Sequence, residues 1–147
     1  SLDIMENFDS PLLAHNIQNF WRRWHLTLGR FVNQYLLLPL TRLSKGSVFL
    51  ALFFAFTIIG VWHQISFPYL CWGLLHGMAL AFHYILSSKL RNSKSYFWLK
   101  QNLFYSLFCR LLTITYVSWV SAFANSDGLN QSIGMTKTLL GLWIKTD

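Results

Sequence analysis

Long apolar segments with almost no charge are the feature that most restricts how this chain can fold. Residues 67–86 contain no Asp, Glu, Lys or Arg, and residues 103–124 contain only Arg110. A helix needs about 20 apolar residues to cross a membrane. These two segments, together with a shorter uncharged run at 48–66, predict three membrane-spanning helices. A weaker apolar run at 133–144 is a candidate for a further or partial span.

The composition indicates the same class of protein. Hydrophobic residues make up 54% of the chain and charged residues 12%, about half of the roughly 25% usual in soluble domains. Such a chain is too apolar to be disordered. Its two cysteines, Cys71 and Cys109, lie inside apolar runs, which argues against a disulfide scaffold. We therefore expect an all-α, polytopic transmembrane helical bundle.

Positive charges between the apolar segments predict which loops face the cytoplasm. The net charge is +7, and the basic residues flank apolar segments, so we expect contacts with membrane lipids and none with nucleic acid. Lysines and arginines occur in residues 42–47 and 87–102, whereas the turn at 66–68 has no charge. Cytoplasmic loops carry an excess of positive charge. Residues 42–47 and 87–102 are therefore predicted to face the cytoplasm, and 66–68 the opposite side.

The N-terminal segment has a different pattern. Bulky apolar residues recur at helical spacing over residues 10–30, with Ser10 as the expected N-cap and Pro11 at the first helical position. We predict an amphipathic helix there that lies at the membrane interface. Residues 31–40 are apolar but too short to span, which is typical of a re-entrant or buried segment, and Pro39 is expected to end it.

Two glycines predict a helix contact. Gly73 and Gly77 stand one turn apart in the second predicted span. Small residues at this spacing let another helix approach closely. This pattern indicates packing and carries no information about chemistry.

The histidines are the main candidates for chemistry. His63 closes the first predicted span, while His76 and His83 share one face of the second. Ionisable groups inside membranes are costly and tend to mark functional sites. His25 follows an aromatic, arginine-rich run, which by spacing alone is more typical of an interfacial anchor. His15 lies in a polar segment.

Three classes of protein fit these histidines. A neutral histidine can act as a general base that removes a proton from a hydroxyl. A transporter or channel subunit could instead relay protons through His63, His76 and His83, and a structural membrane subunit could use them for packing alone. The sequence contains no spacing typical of zinc ligands, no nucleophile elbow and no glycine-rich phosphate loop. We therefore predict no metal and no bound cofactor.

Two motifs go beyond composition. The first is NIQNFWRRWHLTL at residues 16–28, preceded by ENFDSP at 6–11 and followed by YLLLPL at 35–40. The second is GVWH at 60–63, followed by WGLLHG at 72–77. In order and spacing they strongly resemble segments of the membrane-bound O-acyltransferase family, over essentially the whole chain.

The resemblance implies a fold, a reaction and a location. Residues 1–147 would be the C-terminal part of one polytopic enzyme domain of the bacterial inner membrane, inactive without its N-terminal spans. The bacterial branch of alginate O-acetylation fits better than the branch that transfers D-alanine to teichoic acid. The expected reaction moves an acyl group, with acetyl as the expected group, from a cytoplasmic thioester such as acetyl-CoA. Its acceptor would be a hydroxyl of an extracytoplasmic polysaccharide, or a periplasmic acyltransferase partner.

The resemblance also implies roles for particular residues. His63 matches the catalytic histidine and His25 a second functional histidine. Five neighbouring residues are predicted to line the tunnel or contact substrate: Trp24, Arg23, Trp62, Gln64 and His76. The family usually has glycine directly after the catalytic histidine. Gln64 departs from that pattern, and its larger side chain would narrow the tunnel, change the acceptor or weaken the activity.

Overall fold

The computed structural model describes residues 6–125, so the predicted span at 133–144 lies outside the described residues. The described part is helical and has no strand, only an isolated bridge between Phe8 and Trp24. This confirms the all-α class. The α-helices of this part are α1 (Ile17–Trp21), α2 (Leu26–Val32), α3 (Leu38–Leu43), α4 (Val48–His63), α5 (Phe67–Leu90), α6 (Lys94–Gln101) and α7 (Leu103–Ala124).

Two of these helices are long and apolar enough to cross a membrane. They are α5, with 24 residues, and α7, with 22 residues and the predicted bounds. The third predicted span is shorter than expected, because α4 has 16 residues and ends at His63. At about 1.5 Å per residue, α4 falls short of a hydrocarbon core about 30 Å thick. Gln64, at the end of α4, is extended, and Pro68 opens the first turn of α5.

Glycines hold α4 and α5 together as an antiparallel pair. A Cβ on Gly73 would lie 2.5 Å from the carbonyl oxygen of Phe56, and one on Gly77 would lie 2.9 Å from that of Phe53. A Cβ on Gly60 would collide with the carbonyl oxygen of Tyr69. The two backbones are therefore in direct contact, which confirms the close approach predicted from Gly73 and Gly77.

The third long helix packs on this pair. The Tyr116 hydroxyl of α7 donates a hydrogen bond of 2.8 Å to the carbonyl of Leu75, and the Tyr69 hydroxyl donates one of 3.4 Å to Asn125 Oδ1. Helix α7 therefore runs antiparallel to α5. This connectivity places residues 42–47 and 87–102 at one end of the bundle and residues 66–68 at the other. It agrees with the predicted topology, while the side of the membrane stays a prediction.

The predicted continuous helix over residues 10–30 was wrong. Ser10 has a left-handed backbone (φ 47°) and caps nothing, and residues Pro11–Leu13 form only a 3₁₀ turn. The helix begins at α1, where Asn16 Oδ1 accepts a 2.7 Å hydrogen bond from the N–H of Asn19. It stops after Trp21 because residues 7–9 take the hydrogen bonds that a continuing helix would use. Placement at the membrane interface stays a prediction.

The segment at 31–40 also differs from its prediction. It does not end at Pro39: residues Leu26–Val32 are followed by a π-helical turn, Asn33–Leu37, and then by α3. A proline cannot donate a helical hydrogen bond, and the π-turn before it shifts the backbone register so that the helix continues. None of residues 31–40 is buried within the described part of the chain. A left-handed turn at Lys45 and Gly46 (φ 53° and 87°) separates α3 from α4.

Candidate functional site

His63 occupies the end of α4, at the turn into α5. Its ring centroid lies 5.6 Å from that of Trp72, with the two planes at 86°, and 6.1 Å from that of Tyr69. The imidazole is exposed in the described structure. The imidazole of His63 therefore contacts aromatic rings of α5 and is open on its other side.

His25 lies where the N-terminal helix is broken, between α1 and α2. Its backbone is left-handed (φ 49°, ψ 62°), a conformation that is uncommon outside glycine but enriched in histidine. Two contacts from Asn7 hold this geometry. The Asn7 carbonyl accepts a 2.9 Å hydrogen bond from the N–H of Leu26. Asn7 Oδ1 accepts hydrogen bonds from the N–H and the hydroxyl of Thr27, at 3.1 and 2.6 Å.

The two histidines line the same cavity. It has a volume of about 400 Å³ and lies between the broken N-terminal segment and α4. Apolar side chains form much of its wall: Leu28, Val32, Leu37, Leu52, Phe56, Ile59 and Leu80. We name it the His25 cavity. The structure thus brings together the two histidines that the sequence singled out, although they are far apart along the chain.

A second cavity, of about 420 Å³, lies between α1, α5 and α7. Its polar lining comes from Ser118 and Ser121 of α7 and from Asn125. No residue of α7 lines the His25 cavity. We name this second cavity the Ser118 cavity. Asn125 follows the end of α7, so this cavity lies toward the end of the bundle that holds residues 66–68.

Four side chains line both cavities and separate them: Trp21, Trp24, His63 and Trp72. The Trp21 and Trp72 centroids are 5.7 Å apart with planes at 88°, and Trp24 stacks on Phe20 at 5.5 Å and 17°. Such aromatic contacts are each worth about 0.5–1.5 kcal/mol beyond their buried area. His63 is the one ionisable side chain in this partition within residues 6–125.

His76 does not reach either cavity. Its side chain is fully buried, with the rings of Trp72, Trp21 and Tyr116 at 4.7, 5.1 and 5.8 Å. Neither ring nitrogen has a hydrogen-bond partner among the described residues. His76 therefore packs behind two tryptophans of the partition, and its predicted place in the tunnel stays a prediction.

Three other predicted tunnel residues also lie outside both linings, whereas Trp24 is in both. Trp62 is 68% exposed, with its ring 5.0 Å from that of His63. Gln64 is exposed and caps α4. Arg23 turns toward Asp9: its Nη1 donates a 3.0 Å hydrogen bond to the Asp9 carbonyl and lies 3.7 Å from Asp9 Oδ2.

The described residues that line the two cavities include no Asp or Glu. Residues 10–125 contain no Asp and no Glu. No carboxylate from that stretch can therefore orient His63 or His25. Within the described part of the chain, no three His, Cys, Asp or Glu side chains come together as a metal site. Among the described residues, His76 Nδ1, His76 Nε2 and His83 Nδ1 have no hydrogen-bond partner.

Sequence reasoning missed three aromatic residues of the site. Trp21 and Trp72 occur within the sequence motifs without a predicted role, and no role is predicted for Tyr69. The signal that could have found Trp72 is its place one turn before His76 on α5, on the helix face that the glycines bring against α4. No signal in the sequence indicates that Trp21 reaches α5, because that contact depends on the break after α1.

Comparison of the sequence with known proteins identifies relatives that are named as acyl-transferring enzymes. The chain is 37% identical over 138 residues to the peptidoglycan O-acetyltransferase of Helicobacter pylori, covering 92% of this chain. It is 41% identical over 80 residues to the probable alginate O-acetylase AlgI of Pseudomonas aeruginosa, covering 52% of this chain. It is also 25% identical over 123 residues to the teichoic acid D-alanyltransferase of Bacillus subtilis, covering 76% of this chain.

The chain spans only a minor part of each relative: 25%, 15% and 30% of their respective lengths. This confirms the prediction that it resembles part of longer membrane O-acyltransferases. The family profile, described as the membrane-bound O-acyltransferase family, matches residues 2–124. That match includes all but the last of the described residues, and the chain therefore belongs to the membrane-bound O-acyltransferase family.

Proposed function

We propose that this chain forms part of a bacterial membrane enzyme that transfers an acyl group, and specifically acetyl, from a thioester to a hydroxyl of an extracytoplasmic polysaccharide. The observation that carries the proposal is the position of His63, which lines both cavities at their partition. A base there can face a donor in one cavity and an acceptor in the other. Two relatives named as O-acetylating enzymes support acetyl as the group transferred.

The proposed chemistry needs one base at the partition. The acceptor hydroxyl enters through the Ser118 cavity and gives its proton to His63 as its oxygen attacks the thioester carbonyl carbon in the His25 cavity. The tetrahedral intermediate then collapses, the carbon–sulfur bond breaks, and the thiolate leaves with the proton returned by His63. General base catalysis of this kind contributes about 10²–10⁴ in rate. His25 would hold the donor or stabilise the developing oxyanion by donating a hydrogen bond.

The wider setting belongs to the same proposal. The donor is acetyl-CoA or another acyl thioester, and the acceptor is a polysaccharide or a periplasmic partner that passes the group on. The enzyme lies in the inner membrane with further spans outside this chain, because the relatives are several times longer. We expect this chain alone to be inactive, since the described helices leave both cavities without complete walls. The D-alanyltransferase relative makes D-alanyl transfer the second candidate, and it would use the same histidine.

The test is a matched pair of histidine substitutions in the full-length gene product. His63→Ala should lower acetyl transfer in isolated membranes by about 10²–10⁴-fold, with insertion and abundance unchanged. His83→Ala is the control, because His83 lines neither cavity, and it should keep most of the activity. Near-normal transfer by His63→Ala at equal abundance would overturn the proposed role. An equal loss in both variants would favour a histidine relay and hence a transporter.

A further inference from the structure

A third cavity, of about 390 Å³, lies at the end of the bundle opposite to residues 66–68. It is formed by the last turns of α5, by α6 and by one residue of α1. All of its lining residues except Phe97 are charged or polar: Gln18, Tyr84, Ser87, Ser88, Arg91, Tyr96 and Lys100. We name it the Arg91 cavity. It differs from the other two in having two permanent positive charges in its wall.

Within residues 6–125, neither Arg91 nor Lys100 forms an ion pair with a carboxylate. Residues 10–125 contain no acid, and the described ion pair is the one between Arg23 and Asp9. Lys100 is held by an aromatic ring instead, with its Nζ 4.5 Å from the ring centroid of Tyr96. A cation–π contact leaves the ammonium charge in place, so it orients Lys100 without neutralising it.

The positive field extends to a neighbouring side chain outside the spans. The pKa of His15 lies below its usual value because of partial burial and because of the positive charges of Lys100, Arg110 and Arg23. Such a field, in a concave site next to apolar helices, attracts anions.

The uncharged groups of the cavity suit a phosphate. The hydroxyls of Ser87 and Ser88 donate to the carbonyls of Tyr84 and Ile85, at 3.0 and 2.8 Å, and each can rotate to donate to an oxygen in the cavity. The guanidinium of an arginine presents a planar fork of donors that matches phosphate oxygens. A phosphate group has more acceptor oxygens than a carboxylate. It can therefore accept hydrogen bonds from more of these donors.

The Arg91 cavity is next to the candidate active site. Gln18 lines both the Arg91 cavity and the His25 cavity. The three cavities therefore follow one another along the bundle, from the end with the basic residues 87–102 to the end with residues 66–68. A molecule with its phosphate in the Arg91 cavity could extend past Gln18 toward His25.

We propose that the Arg91 cavity is a binding site for a phosphate group. Two sources carry this chemistry: the headgroup of an anionic phospholipid, and the phosphates of a coenzyme A thioester donor. The site does not depend on the proposed function, but the second source does. Basic pockets beside membrane helices on the cytoplasmic side are suited to phospholipid headgroups.

The test compares two double variants of the full-length protein that remove the same charge. Arg91→Gln with Lys100→Gln changes the cavity, whereas Lys89→Gln with Lys94→Gln changes nearby basic residues outside its lining. Native mass spectrometry in detergent measures retained phosphatidylglycerol against phosphatidylcholine. Equilibrium dialysis measures the Kd of acetyl-CoA against that of acetyl-pantetheine, a thioester without phosphate.

If the source is a lipid, the cavity variant should lose the retained phosphatidylglycerol, and the control should keep it. If the source is the donor, the cavity variant should bind acetyl-CoA about tenfold or more weakly, because charge-assisted hydrogen bonds are lost, while its Kd for acetyl-pantetheine stays unchanged. The proposal is overturned if the cavity variant matches the wild type in both measurements, or if the control loses as much. Both experiments measure binding and not acyl transfer. A negative binding result would therefore leave His63-dependent transfer untouched, and a positive one can be obtained even if the protein transfers no acyl group.

Discussion

The pair α4 and α5 and the N-terminal region before α3 are built in opposite ways, and each contributes one histidine to the same cavity. In the pair, backbones touch through glycines over several turns. In the N-terminal region, a short helix breaks after Trp21, and Asn7 holds the chain in an unusual conformation at His25. The comparison indicates that regular packing sets the position of His63, whereas a few specific hydrogen bonds set that of His25.

The largest expected effect comes from making the same substitution in both regions. Gly73→Ala places a methyl group 2.5 Å from the Phe56 carbonyl oxygen and 3.0 Å from Thr57 Cα. These are backbone atoms, so the helices must separate, and we expect a loss of about 3 kcal/mol or more, at the upper end of overpacking effects. Thermal unfolding of the purified full-length protein in detergent would measure it.

Gly29→Ala is the matched change in the N-terminal region. Its new methyl group would have the Trp21 carbonyl as its nearest neighbour, at 4.0 Å. Replacing a helical glycine by alanine stabilises by about 1 kcal/mol when nothing clashes, so the unfolding temperature should stay equal or rise. A Gly73→Ala protein as stable as Gly29→Ala would show that the contact between α4 and α5 is looser than described.

The next effect concerns the hydrogen bonds around His25. Asn7→Ala removes the acceptor for the N–H and the hydroxyl of Thr27, and each part-buried hydrogen bond contributes about 0.5–1.5 kcal/mol. We expect faster amide exchange over residues 23–27, no change in α4 and α5, and slower acyl transfer. Hydrogen exchange with mass spectrometry would measure the first two.

Asn92→Ala is the control for Asn7→Ala, since Asn92 is exposed in the turn between α5 and α6. It should leave exchange and transfer unchanged. Unaltered exchange at residues 23–27 in Asn7→Ala would mean that other contacts hold His25 in its left-handed conformation.

The smallest effect is expected at Arg23. This side chain faces Asp9 across 3.7 Å at the surface, and exposed ion pairs contribute about 0–1 kcal/mol. Arg23→Gln should therefore change stability by less than 1 kcal/mol and leave the KM for the donor within about twofold, an effect of a few tenths of a kcal/mol. A KM raised tenfold in steady-state assays would instead place Arg23 in the tunnel, as the sequence had predicted.

The sequence predicted the regular part of the fold well, for physical reasons. Helix α7 has the bounds that its apolar run indicated, and Gly73 and Gly77 form the contact that their spacing predicted. Length and spacing are local properties, so they can be read along the chain. The break after Trp21 could not be predicted this way, because it depends on hydrogen bonds from residues 7–9, which are distant in sequence.

The candidate site was predictable only in part, for the same reason. Motif resemblance identified His63 and His25, and the structure places both in one cavity. The motifs did not distinguish Trp24 from Trp62. Trp24 lines both cavities, whereas Trp62, next to His63 in sequence, is exposed and lines neither. Neighbours in a helix point in different directions, so adjacency to His63 did not indicate a place in either cavity lining.

A double-substitution cycle tests most directly whether the two regions form one active site. His63→Ala, His25→Ala and the combined variant of the full-length protein would be compared by single-turnover acyl transfer in membranes at equal abundance. If both histidines act on one reaction in one cavity, the combined variant should be about as slow as His63→Ala alone, because groups that act as a unit are not additive. If the two losses multiply in full, His25 and His63 contribute independently, which would contradict the claim that they act as one unit.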